Sequence, residues 1–111
     1  MSPVCALSRL LRGRGVAALV GGEQVAVFRL DDGSVHAVSN IDPFSHAAVI
    51  ARGIVGDHRG EPKVTSPMYK QSFSLRDGRC FDDEAVTLAV FDVSVIDDVV
   101  WVHASSSAEP A

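Results

Sequence analysis

Between residues 16 and 103 the apolar side chains recur mainly with a period of two, and glycine- or aspartate-containing pairs break the pattern at short intervals. Alternation at 180° per residue sends neighbouring side chains to opposite faces, so the pattern folds as short antiparallel strands rather than amphipathic helices. The clearest unit is a strand over residues 24–30, a turn at Asp31-Asp32-Gly33, and a return strand over 34–39. Asp-Gly supplies the positive φ that a tight hairpin turn needs. A strand over 16–20, closed by Gly21-Gly22, precedes this hairpin. A shorter, more polar set is expected over 53–56, 63–66 and 71–75, the last turning at Asp77-Gly78 into 79–81. The strong β pattern then returns over 88–96 and 99–103, joined at Asp97-Asp98, and these strands are expected to pair with the first ones. Residues 40–51 begin with turn chemistry and predict a short helical turn over 46–51, capped by Ser45 or Asp42. The fold class expected is therefore all-β: antiparallel sheets forming a sandwich, with a smaller loop-bearing β subdomain at about residues 40–82. Residues 1–104 make one domain, and 105–111, without periodicity, are expected to form a disordered tail.

With 111 residues, 47% of them hydrophobic, the chain buries enough surface to fold without a metal, disulfide or partner. Its net charge of -4, with ten Lys and Arg spread along the chain, opposes a nucleic-acid role. Arg9, Arg12 and Arg14 read as a solvated N-terminal loop. No apolar run approaches the roughly 20 residues of a membrane span, and the start lacks the order of a signal peptide, so a cytoplasmic location is expected. Cys5 and Cys80 are expected to be free thiols, since neither belongs to a C-x-x-C motif. No nucleophile–base constellation, G-x-G-x-x-G or Walker loop is present. His36, His103 and Trp101 fall within strand patterns and read as edge or sheet-packing residues.

Two loops carry most of the remaining information: Asn40-Ile41-Asp42-Pro43-Phe44-Ser45-His46 and Val64-Thr65-Ser66-Pro67-Met68-Tyr69-Lys70-Gln71-Ser72-Phe73. In each, a proline follows a small polar residue. The pair resembles the two loops of a Rieske iron–sulfur domain, in which C-P-H and C-P-x-H hold a [2Fe–2S] cluster. The resemblance places the four ligand positions on Asp42, Phe44, Ser66 and Tyr69, while Pro43, Pro67, Phe73 and Gly78 match the scaffold. Phenyl has no lone pair to give, and carboxylate, hydroxyl and phenol are poor substitutes for thiolate and imidazole, so no cluster is expected. Together with Arg52-Gly53-Ile54-Val55-Gly56, the loops closely resemble the small subunits of assimilatory NAD(P)H-dependent nitrite reductases, Rieske-like proteins that lack the cluster ligands.

That resemblance implies a partner rather than a reaction. It points to a large subunit carrying FAD, an iron–sulfur cluster and sirohaem, which reduces nitrite to ammonium, with no cofactor and no catalytic residue in this chain. The candidate contacts are Asp42, Phe44, Met68, Tyr69 and Lys70. Each has an alternative reading. Asp42 before proline is also a turn former, Phe44 and Met68 suit packing of loop on loop, and Lys70 suits a solvated charge. The Tyr69 hydroxyl is expected to bond back to the first loop, filling the space of a cluster. Two further readings stand beside this: a free-standing protein with a mononuclear metal at His46, His58, Asp42 and Asp57, or a binding module for another reductase.

Overall fold

A computed structural model describes residues 2–103. Its centre is a four-stranded antiparallel sheet in the order β2-β3-β4-β8, formed by Gly15–Val20, Glu23–Arg29, Val35–Ser39 and Val90–Phe91. In β3 the alternation gives way to an unbroken buried run, Val25 to Phe28, because both faces of this sheet are covered. One face presents Ala26, Phe28 and Val38 to Ile50, Val64, Phe73, Leu75 and Leu88. The other presents Val25, Val27 and Ala37 to Leu10, Val100 and Val102. Two clusters thus hold three layers together.

The layer on the second face is the sheet β1-β10-β9, made of Ser2–Ala6, Val99–Val102 and Val93–Ile96. The layer on the first face is β5-β6-β7, made of Ile54–His58, Glu61–Thr65 and Ser72–Ser74, and it carries the second loop between β6 and β7. The only helical segments among the described residues are 3-10 turns at Leu7–Arg9 and Ile50–Arg52. No helix in the described residues is long and apolar enough to cross a membrane.

The hairpins at Gly21-Gly22, Asp32-Gly33 and Asp97-Asp98 form as expected, the last with both aspartates at positive φ. Four expectations are corrected. β1 went unrecognised because five residues containing a proline give too short an alternation; it becomes a strand by pairing with β10, Ser2 opposite Val102. The span 88–96 is two strands rather than one, since the chain passes at Asp92 from the central sheet, where β8 pairs with β4, to the outer sheet, where β9 pairs with β10. Only β8 therefore joins the early hairpin. Residues 79–81 make isolated bridges, Arg79 to Thr87 and Cys80 to Phe73, rather than a strand. The helical turn lies at Ile50–Arg52 instead of 46–51, because His46 takes φ 65° and the bridge Ile41–Ala48 folds the loop back antiparallel. Arg9, Arg12 and Arg14 are exposed, and Cys5 and Cys80 are free thiols. The 105–111 tail lies outside the described residues.

Candidate docking site at the paired loops

The first loop is anchored by Asn40, which is buried. Its backbone N–H donates to Gln24 O, its carbonyl accepts from Ile50 N, and its Oδ1 accepts from Ala51 N at 2.7 Å. The backbone of this one residue thereby ties the start of the loop to β3, and its carbonyl and side chain together hold the loop's far end at Ile50 and Ala51. Asp42, two residues on, has no exposed surface. Its Oδ1 accepts from Phe44 N at 2.7 Å and Ser45 N at 3.3 Å, closing the turn around Pro43. Its Oδ2 accepts from Ser66 Oγ, at 2.5 Å, in the second loop. Ser66 is equally buried; its N–H donates to Gln71 O and its Oγ also accepts from Met68 N at 3.3 Å.

A carboxylate–hydroxyl pair therefore joins the loops at their bases. Burial alone raises the pKa of Asp42, but the Ser66 hydroxyl and the Phe44 and Ser45 amides outweigh it and hold the carboxyl below its ordinary value. The group is an anion at neutral pH. Beside it the half-buried Phe44 ring packs on Phe73, centroids 6.1 Å apart and tilted by 41°.

Past this closed base the second loop turns outward. Met68 is 47% exposed and Tyr69 60% exposed, and exposed Lys70 holds φ 64°, a left-handed conformation unusual outside glycine. The Tyr69 hydroxyl makes no hydrogen bond to the first loop, which corrects that expectation: the Asp42–Ser66 pair and the Phe44–Phe73 contact fill the space between the loops. Asp42 is a turn former and cross-loop acceptor with no surface to offer a partner, and Phe44 serves loop packing. Met68, Tyr69 and Lys70 are the exposed members of the candidate set.

The four residues considered for a mononuclear metal do not converge. His58 stacks on Phe81 at 4.4 Å, Asp57 Oδ2 accepts from Gly60 N, and no three His, Cys, Asp or Glu gather to hold an ion among the described residues. His36 and His103 hydrogen-bond Ser34 and Ser94, and Trp101 is half-buried in β10. Sequence reasoning missed the anchoring by Asn40 and the bond from Ser66 to Asp42. The signal was present in the donor–acceptor complementarity of the two polar residues that precede the paired prolines.

Three layers of antiparallel strands with paired proline loops define a Rieske-like domain, here closed by protein groups. The model of the Rieske-like [2Fe-2S] domain matches residues 1–103. The nitrite reductase (NADH) small subunit of Salmonella typhimurium is 48% identical over 90% of this chain and 94% of its own. The solution structure of the Erwinia carotovora nitrite reductase [NAD(P)H] small subunit superposes with TM-score 0.79 and 41% identity, over 99% of this chain and 85% of that one. The chain belongs to the nitrite reductase small subunits of the Rieske-like family. It also matches the nitrite reductase [NAD(P)H] large subunit of Klebsiella oxytoca, 41% identical over 89% of this chain but only 10% of that relative.

Rieske-like domains are named for a [2Fe–2S] cluster, and the residues that the loop resemblance sets at the ligand positions do not fit one. The Asp42 oxygens are taken by Phe44, Ser45 and Ser66, the Ser66 proton is committed to Asp42, Phe44 offers only a ring, and Tyr69 is a largely exposed phenol.

Proposed function

We propose that this chain is a non-catalytic subunit of a cytoplasmic NAD(P)H nitrite reductase in nitrate assimilation, and that its second-loop tip docks on the large subunit carrying FAD, sirohaem and an iron–sulfur cluster. The observation that carries the docking is the contrast within one loop. Ser66 at its base is fully buried and bonded, while Met68, Tyr69 and Lys70 stand exposed immediately beyond a proline. Such a tip presents an apolar body, a phenol and an ammonium on a pre-ordered backbone, so little entropy is lost on binding. The Klebsiella relative supports the choice of partner, since there a stretch similar to this chain forms part of a polypeptide named as the large subunit.

Chemistry then resides in the partner, and this subunit completes or orders a surface near the electron path. Tyr69→Ala/Lys70→Ala is expected to weaken association with the large subunit by about 30-fold or more, the range of an interface hot spot. Titration calorimetry with the purified large subunit measures it, and a melting curve confirms the fold. Unchanged affinity would remove both residues from the interface.

A further inference from the structure

We propose that a groove between the free edges of the central and loop sheets holds an acidic, extended segment of the large subunit, as a second contact beside the loop tip. The inference rests on the docking reading above and adds the chemistry of what is bound. β2 and β5 are both edge strands, and the 3-10 turn at Ile50–Arg52 lies between them. Close approach is possible because two positions have no Cβ. One on Gly15 would fall 2.4 Å from Ala51 O, and one on Gly53 would fall 2.6 Å from Thr65 O. The turn sinks inward and leaves an open cavity of about 430 Å³.

The charge in this groove runs against that of the whole chain. Arg14 and Arg52 line it and no acidic residue does, whereas the whole chain carries a net charge of -4. Both guanidinium groups are exposed, and among the described residues neither makes an ion pair or side-chain hydrogen bond; the ion pairs there are those of Arg79 with Glu61 and Asp77. Two unpaired, forked donors facing one groove suit carboxylates. An adjoining cleft of about 560 Å³ shares Gly13 and Val55 with the groove and carries Asp31, Asp32 and Asp57, which outnumber its one arginine, Arg76, and its one histidine, His36. The balance of charge therefore changes along the trough, from two arginines to an excess of carboxylates.

Form and position point the same way. Exposed guanidinium groups hold a small free anion weakly, because water screens them. An extended chain instead gains from the unpaired edge of β5 and from Ile54, which is 75% exposed beside the arginines. Ile54 also pairs with Thr65, the residue before Ser66, so the groove adjoins the base of the loop whose tip docks. One partner covers both.

The test measures binding of the full chain to the purified large subunit over a range of salt concentrations, for the wild type, Arg14→Glu/Arg52→Glu, and Tyr69→Ala/Lys70→Ala. Charge reversal is expected to weaken binding at least tenfold at low salt and to flatten the salt dependence, with an unchanged melting curve. Wild-type affinity and salt dependence in that variant, alongside a weakened loop-tip variant, would overturn the groove and leave the docking reading standing. Absence of binding by the wild type would overturn both.

Discussion

Ser66→Ala deletes the hydroxyl that bridges the loops, and the structure sets the size of the effect. Ser66 Oγ donates to Asp42 Oδ2 with both residues fully buried, so water cannot take the place of the lost donor. A hydrogen bond to a charged group contributes about 1.5–3 kcal/mol, and a buried carboxylate oxygen left without it bears the full desolvation cost. The bond from Met68 N, at 3.3 Å, is lost too, but it is long and adds little. A loss of about 2–3 kcal/mol is expected, which for a domain of this size lowers the melting temperature by roughly 10 °C. Thermal and urea unfolding followed by circular dichroism measure it. Asp42→Asn separates charge from shape, because the amide oxygen still accepts from Phe44 N while Ser66 can reverse its role and accept from the amide nitrogen. The folded-state pKa of Asp42 is depressed, so the carboxylate contributes stability above its unfolded value of about 3.9, and that contribution is lost as pH falls through the lower folded value. The stability gap between wild type and Asp42→Asn should hold from neutral pH to about 5 and shrink below about 4. A Ser66→Ala loss under about 0.5 kcal/mol would refute the cross-loop bond as a stabilising element.

Three other outcomes follow from the same geometry. Asn40→Ala leaves the part-buried Ala51 N without its acceptor and is expected to destabilise by about 1–2 kcal/mol, measured by urea unfolding. Lys70→Gly relieves a left-handed φ of 64° and, after the added freedom of the unfolded chain, should stabilise by about 0.5 kcal/mol while weakening binding to the large subunit. Cys80, 3% exposed, is expected to resist a thiol reagent until unfolding, whereas Cys5, whose pKa burial raises against the opposing pull of Arg9, should react slowly at neutral pH and faster as pH rises; rapid labelling of Cys80 in the native state would contradict this packing.

Local signals carried the hairpins. Asp32-Gly33 and Asp97-Asp98 encode turn geometry in adjacent residues, and the strands beside them follow from alternation. What failed to show was set at a distance. Ser2–Ala6 is a strand because Val99–Val102 lies beside it, and the break at Asp92 exists because two sheets compete for one run of apolar residues. The site divides in the same manner. The loops were visible through their prolines, but the bond that closes them spans 24 positions, from Asp42 to Ser66. A tyrosine hydroxyl bonded back to the first loop is the expectation for Tyr69; a charged hydrogen bond and an aromatic contact join the loops instead, leaving the tyrosine outside.

β1 and β10 pair as neighbours on the face of the central sheet opposite the loop sheet. The backbone consequently enters and leaves the fold at points one inter-strand spacing apart, about 5 Å. A module wired in this way behaves like a plug whose two leads share one socket: it can be appended to a longer polypeptide, or spliced into one, without stretching either connection across the body. The opposite layer, packed on the central sheet and carrying the loops, stays clear of both connections. Tethering also replaces a dilution-dependent encounter by an effective concentration in the millimolar range, so the same docking surface suffices at weaker intrinsic affinity when the domain is fused than when it travels alone.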